Sequence, residues 1–126
     1  MKNVLNEYKI QFSTPLNDPL YNKISTINWT LSAIIGLHYR FYDINALLSG
    51  IDSVLNDSKI SKIEFETNGF QLAVVTKTIT KMYENSSIYY DDETVLPDFS
   101  LSTQDFLVIV QAWYDYVANS SRKPLN

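Results

Sequence analysis

The end of the chain carries an apolar stripe that is too wide for a helix exposed to solvent. Over residues 103–118, apolar side chains recur at helical spacing and further ones widen the stripe: Phe106, Val110, Trp113 and Val117, then Leu107, Ile109, Tyr114 and Tyr116. A surface helix buries one face only, so other elements must cover this helix. Ser102 supplies its N-cap, and Asp105 three residues later resembles a capping box.

A β-hairpin is predicted in the middle of the chain. Residues 60–66 alternate between apolar and charged side chains, as a half-buried strand does. The apolar set is Ile63 and Phe65, and the charged set is Lys62, Glu64 and Glu66. Asn68-Gly69 follows, a pair that tolerates positive φ at both central turn positions. A second strand over residues 70–76 is therefore expected to fold straight back, with a third short strand over residues 78–83.

The segment before this hairpin is harder to interpret. Asp43 is expected to cap a helix whose apolar residues recur on one face: Ile44, Leu47, Leu48, Ile51, Val54 and Leu55. Residues 24–42 fit both a strand with a continuous apolar face and a helix with an apolar stripe. We favour a strand over residues 30–42, because aromatic and β-branched residues are dense there.

Together these elements predict an α+β fold, in which an antiparallel β-sheet packs against two helices on one face. Residues 4–12 are expected to form a first strand, and residues 14–19, with Pro15 and Pro19, a loop. Residues 85–87 and 89–94 are expected to be exposed and irregular. No repeat or linker divides the chain, so residues 1–126 are expected to form one domain.

Composition argues against most catalytic classes. The chain has 126 residues, no cysteine, three glycines and one histidine, His38. This excludes thiolate sites, disulfides, Gly-rich phosphate loops and His-based metal clusters. No partner that would make His38 a catalytic base is evident, so His38 is expected to be structural and Trp113 to be core. We expect no enzyme activity, no catalytic residues, no metal and no cofactor.

The sequence also lacks targeting signals. No apolar run is long enough for a signal peptide or for a span of the bilayer. The expected location is the cytoplasm, without membrane association.

Negative charge is concentrated near the end of the chain. The net charge is −4, and residues 82–121 carry seven acids and neither lysine nor arginine. Such a stretch repels nucleic acid and attracts basic partners, although a solvated surface without a partner explains the charge equally well. The predicted partner-binding residues are Glu84, Tyr89, Tyr90, Asp91, Asp92, Glu93 and Asp98.

Two alternatives remain open for these residues. Tyr89 and Tyr90 can either anchor a protein partner, as tyrosines often do, or cap the edge of the core. Asp91, Asp92 and Glu93 are expected to form a solvated acidic loop, because a calcium loop alternates its ligands and includes a glycine.

Residues 43–118 resemble the small immunity proteins of bacterial polymorphic-toxin and contact-dependent growth-inhibition systems. One matching passage is Asp43-Ile-Asn-Ala-Leu-Leu-Ser-Gly-Ile, which leads into the hairpin Lys62-Ile-Glu-Phe-Glu-Thr-Asn-Gly-Phe70. The other is Leu101-Ser-Thr-Gln-Asp-Phe-Leu-Val-Ile-Val-Gln-Ala-Trp113, similar to the family's Leu-Pro-Thr-x-Asp-Phe-x-x-Ile-x-x-x-Trp. Ser102 stands where the pattern usually has proline.

The resemblance implies a stoichiometric inhibitor of a cognate toxin domain, with no catalysis of its own. Our first hypothesis is such an immunity protein, and a basic nuclease is the toxin expected for it. Two other hypotheses remain. One is a small-molecule-binding α+β domain in which residues 29–42 line a pocket. The other is a homo-oligomeric structural protein that associates through the apolar last helix, and the same helix would also allow an immunity protein to form a homodimer.

Overall fold

A computed structural model describes residues 2–18 and 21–122 of the chain. Its α-helices are α1 (Val4–Glu7), α2 (Trp29–Gly36), α3 (Phe41–Asn56), α4 (Ser86–Asp91) and α5 (Thr103–Arg122). Its strands are β1 (Gln11–Ser13), β2 (Lys23–Ser25), β3 (Lys62–Glu66), β4 (Leu72–Thr76), β5 (Ile79–Tyr83) and β6 (Phe99–Ser102), and Pro15–Asn17 form a 3₁₀ turn. The expected α+β class is confirmed.

The main sheet is a four-stranded antiparallel meander in the order β3-β4-β5-β6. The hairpin of β3 and β4 and the third strand β5 are therefore confirmed. Glu64 pairs with Val74, and Val74 pairs with Lys81, so these three residues share one face of the sheet. A separate antiparallel pair, β1 and β2, was not expected.

The larger core lies between the sheet and the helices α2, α3 and α5. Its fully buried side chains from the sheet include Ala73, Val75 and Met82. Those from the helices are Leu31, Ile34, Ile35, Ile44, Leu47, Ile51, Val54, Phe106, Ile109, Val110 and Trp113. The predicted stripes of α3 and α5 thus face the sheet together.

Trp113 lies at the centre of this core and connects three parts of the chain. Its side chain is fully buried, and its indole Nε1 donates a 2.8 Å hydrogen bond to the His38 carbonyl in the α2–α3 connection. The ring stacks on Phe12 of β1, with centroids 5.8 Å apart. At the start of α5, the Ser102 hydroxyl accepts from the Asp105 backbone N–H at 3.1 Å, as an N-cap does.

A second, smaller cluster covers the opposite face of the sheet. Leu72 and Val74 of β4 and Tyr83 of β5 are buried there against Tyr89 of α4. The two predicted helices, α3 and α5, lie on one face of the sheet as expected, and α4, which was not predicted, lies on the other face. We call the face with α4 the outer face.

Several predicted elements differ from the structure. Residues 4–7 and 29–36 form helices α1 and α2 instead of strands, and α4 replaces an irregular segment. α3 begins at Phe41 with Arg40 at its N-cap, so Asp43 lies in its first turn. Pro19, expected in a loop, lies outside the described residues.

A shared local interaction explains the three missed helices. Each begins after an asparagine whose side chain accepts a hydrogen bond from a backbone N–H of the first turn: Asn3, Asn28 and Asn85. Such a cap satisfies a donor that a short helix otherwise leaves unpaired. It therefore favours the helix where periodicity over so few residues says little.

The burial of Trp113 predicts a large effect of its removal. Trp113→Ala should lower the free energy of unfolding by about 3–5 kcal/mol, because it leaves a large cavity and an unpaired His38 carbonyl. The matched control is Trp29→Ala, since Trp29 is 73% exposed and its loss should cost less than about 1 kcal/mol. Chemical denaturation measures both. A loss below about 1 kcal/mol for Trp113→Ala would contradict its central place.

Candidate functional site

The acidic segment, residues 82–121, does not form one continuous surface. The Glu84 carboxylate accepts a 2.5 Å hydrogen bond from the Thr30 hydroxyl, and the Asp98 carboxylate accepts from the Glu84 backbone N–H at 2.7 Å. Glu84 thus joins the end of β5 to α2, and Asp98, the residue before β6, is joined to the end of β5. The structure does not show Glu84 or Asp98 in contact with the tyrosines predicted to share their binding face.

Tyr89 is buried, so the prediction that it is exposed is wrong. Its ring packs against Tyr83 with centroids 4.8 Å apart. Its hydroxyl donates to Glu93 Oε1 and accepts from Lys62 Nζ, both at 3.2 Å. The alternative reading, in which the ring caps the edge of the core, is the one that describes Tyr89.

Lys62 of β3 is a cation surrounded by acceptors. Its ammonium lies 3.3 Å from Glu93 and 3.4 Å from Glu64, and 5.7 Å from the centroid of the Tyr89 ring. The hydrogen bonds with Tyr89 and Glu93 raise the pKa of Lys62 above its ordinary value. Lys62 therefore stays charged and holds the residues after α4 against β3.

Tyr90 is half exposed and stands among carboxylates of β3. Its hydroxyl donates to Glu64 Oε1 at 3.3 Å. Partial burial, and then the charges of Glu64 and Glu66, raise the pKa of Tyr90. The phenol therefore stays protonated at neutral pH and remains a hydrogen-bond donor. The exposure predicted for Tyr90 agrees with the structure.

Glu64 and Glu66 lie on the same surface as Tyr90. They were not among the predicted partner-binding residues. The alternation of charged and apolar residues along β3 already placed both on one side of the strand. What the alternation could not show is that α4 would lie beside that side. The charged side of β3 was therefore predictable from the sequence, but the helix α4 that lies beside it was not.

The residues of α4 follow those of β3 in register. The Ser86 hydroxyl donates a 2.9 Å hydrogen bond to Glu66, and the Tyr90 hydroxyl donates to Glu64. Further along, Lys62 forms an ion pair with Glu93. The two segments therefore run side by side in opposite directions. We call this surface the acidic ridge. Its residues are Lys62, Glu64, Glu66, Ser86, Tyr90, Asp91, Asp92 and Glu93.

Asp91 and Asp92 are both exposed on this ridge. The Asp92 carboxylate accepts hydrogen bonds from the Thr94 hydroxyl at 2.6 Å and from its backbone N–H at 3.0 Å. These two bonds lower the pKa of Asp92. Asp92 therefore remains ionised and fixes the turn that follows α4.

Asp105 is part of the acidic segment, but its carboxylate does not contribute to the exposed negative surface. Its carboxylate is largely buried and accepts hydrogen bonds from Lys2 at 2.8 Å and from Tyr8 at 2.7 Å. Burial alone would raise the pKa of Asp105, but the bonds from Lys2 and Tyr8 outweigh burial and lower it. Asp105 thereby ties α1 to the start of α5.

A groove of about 280 Å³ lies between the α2–α3 connection and the end of β3. Its lining residues are Leu37, His38, Tyr39, Arg40, Asp43, Glu66, Thr67 and Asn68. His38 Nδ1 donates to the Ile34 carbonyl at 2.7 Å, so this side of the ring is engaged with its own helix. This bond holds the His38 ring against the end of α2.

Among residues 2–18 and 21–122, no three histidine, cysteine, aspartate or glutamate side chains are placed to hold a metal ion. Within the same residues, no helix combines the length and apolar character needed to cross a membrane.

Comparison of the chain with models of protein families, with curated protein sequences and with solved structures found no match.

Two tyrosines of the outer face provide a matched test of the site. The buried Tyr83 hydroxyl has no hydrogen-bond partner among the described residues, whereas the Tyr89 hydroxyl has two. Tyr83→Phe should therefore raise the free energy of unfolding by up to about 1 kcal/mol, and Tyr89→Phe should lower it by about 0.5–1.5 kcal/mol. Urea denaturation of both variants measures the difference. The reverse order would contradict the hydrogen bonding described for this face.

The lowered pKa of Asp105 predicts how the free energy of unfolding depends on pH. Because its pKa is lowered in the folded state, its contribution is complete above about pH 5 and is lost as the pH falls below about 4. Asp105→Asn should therefore cost about 1–3 kcal/mol at pH 7 and much less at low pH. Asp115→Asn, at an exposed position of the same helix, serves as the control. A cost that does not depend on pH would contradict the ionic role of Asp105.

Proposed function

We propose that this chain is an immunity protein that binds and neutralises a cognate bacterial toxin domain through the acidic ridge. One observation carries the proposal. Two separate parts of the chain, β3 and α4 with its following turn, bring Glu64, Glu93 and Lys62 together beside the half-exposed Tyr90. Ser86 of α4 joins Glu66 to them, and Asp91 and Asp92 follow Tyr90 at exposed positions. The resemblance of residues 43–118 to immunity proteins supports the same conclusion.

The charge of the ridge favours a basic partner. Glu64, Glu66 and the three acids at residues 91–93 outnumber Lys62, so the surface attracts cations and repels nucleic acid. A nuclease domain needs a basic surface to hold the phosphate backbone of its substrate. A basic nuclease is therefore the toxin class that the ridge matches best, and the ridge would compete with the substrate for that surface.

The mechanism of neutralisation is stoichiometric binding. Complementary charge speeds the encounter, and burial of exposed aromatic side chains such as Tyr90 slows dissociation. This mechanism requires no catalytic group, metal or cofactor in the chain. The proposal places the protein in the cytoplasm, where it would protect the cell that makes it.

A small-molecule-binding domain is the second candidate function. The groove described above favours it, because Leu37, His38, Tyr39 and Arg40 come from the aromatic segment expected to line a pocket. A domain of this kind should gain thermal stability from a metabolite. Association through α5 has less support, because most of its large apolar residues face the core and Val108 is the exposed one among those described.

A genetic experiment tests the proposed function directly. An immunity protein is encoded directly downstream of its toxin, so the C-terminal domain of the upstream gene product is the probe. Its expression should stop growth, and co-expression of this chain should restore growth. An upstream product that is harmless, or that kills equally with and without this chain, would contradict the proposal.

Neutralising the acids after Tyr90 should slow association with that toxin domain. The variant carries Asp91→Asn, Asp92→Asn and Glu93→Gln, whose amide oxygens can still accept the hydrogen bonds of the ridge. We expect association to be about tenfold slower at low salt and less dependent on salt, because steering is lost. Folding should hardly change, since exposed charges contribute little to stability. Stopped-flow kinetics at two ionic strengths measure the effect.

The matched control removes the same amount of charge elsewhere. Asp52→Asn, Asp57→Asn and Asp115→Asn lie at exposed positions of α3, its C-cap and α5. This control should slow association much less than the ridge variant does. Equal rates for the two triple variants would place the binding face elsewhere.

A further inference from the structure

Phe70 combines an exposed aromatic ring with a backbone conformation that phenylalanine rarely adopts. Its φ is 70°, in the left-handed region where a Cβ crowds the following carbonyl oxygen. Its side chain is also 64% exposed. The backbone of Phe70 is therefore strained, and this strain is not offset by burial of the ring.

The hydrogen bonds of the β3–β4 turn enforce this conformation. The Phe70 N–H donates to the Thr67 carbonyl at 3.0 Å, and the Thr67 N–H donates to the Gln71 carbonyl at 2.9 Å. This is the pattern of a three-residue hairpin loop, in which glycine usually takes the left-handed position. The expectation of positive φ at Asn68 and Gly69 is wrong, because neither has it.

The glycine of this loop is therefore not at the strained position. Gly69 directly precedes Phe70, and a glycine at residue 70 would fit the loop without cost. An unfavourable backbone conformation that is kept without gain to the fold points to a function of the side chain. The exposed ring is the part of Phe70 that can serve such a function.

Phe70 lies at one end of the acidic ridge. Its carbonyl accepts a 2.8 Å hydrogen bond from the backbone N–H of Ser86, the first residue of α4. Tyr90 of the same helix is about half exposed. Ser86 also donates to Glu66 of the ridge, so Phe70 lies beside the end of the ridge that carries Glu66.

We propose that Phe70 is an aromatic anchor that inserts into an apolar pocket of the basic toxin domain, while the ridge pairs with lysines and arginines around that pocket. This inference rests on the proposed function and adds a residue that the acidic segment does not contain. The charge of the ridge selects the partner, because a second copy of this chain would bring the same acids to the contact. Hot spots of this kind are typically aromatic residues surrounded by polar contacts.

The test separates the ring from the backbone strain. Phe70→Gly removes both, so we expect a melting temperature equal to or a few degrees above that of the unmodified chain. Its Kd for the toxin domain should rise about 30-fold or more, mainly through faster dissociation. Phe70→Tyr keeps the ring and should retain binding. Tyr42→Ala is the control, since Tyr42 is an exposed aromatic of α3, and it should bind normally.

Each outcome decides between the hypotheses. If the unmodified chain does not bind the toxin domain, the proposed function and this inference both fail. If the unmodified chain binds and Phe70→Gly binds equally well, this inference alone is wrong. A marked loss of stability in Phe70→Gly would make the ring structural and would also overturn it. Self-association of the chain that Phe70→Gly abolishes would assign the ring to a homodimer instead.

Discussion

Strand β4 is buried on both of its faces, and the rest of the molecule is arranged to cover it. Leu72, Ala73, Val74 and Val75 are all buried, although they point alternately to opposite sides of the sheet. The helices α2, α3 and α5 cover Ala73 and Val75. Leu72 and Val74 need a cover of their own on the outer face, because apolar side chains gain free energy only when water is excluded from them.

The acidic ridge is a consequence of that second cover. α4 has six residues, too few for a helix to be stable alone in water, and the buried contact of Tyr89 with Tyr83 holds it on the sheet. Once α4 is fixed there, Tyr90 and Glu93 lie beside the charged side of β3. Lys62 reduces the repulsion between the two rows of acids, and the remaining negative charge faces solvent.

The long, periodic segments were predictable from the sequence and the short ones were not. The α5 helix, most of α3 and the β3–β4 hairpin have apolar patterns that repeat several times, so chance matches are few. α2 contains Ile34 and Ile35, which favour strands by propensity, yet their burial beside Leu31 on one helical face decides the structure. At the candidate site, the exposure of Tyr90 and of the acids at residues 91–93 was predictable. The burial of Tyr89 depends on the two-sided burial of β4, and the inclusion of Glu64 and Glu66 depends on α4, and neither is a local property.

The most direct test of the account is to map the surface that the proposed toxin domain would cover. Hydrogen–deuterium exchange compares the chain alone with the chain in complex with the C-terminal domain of the upstream gene product. We expect slower exchange at residues 62–70 and 86–93, with little change in α5 or at residues 37–43 of the groove. Protection at residues 37–43 or on α5, with the acidic ridge unchanged, would contradict the account.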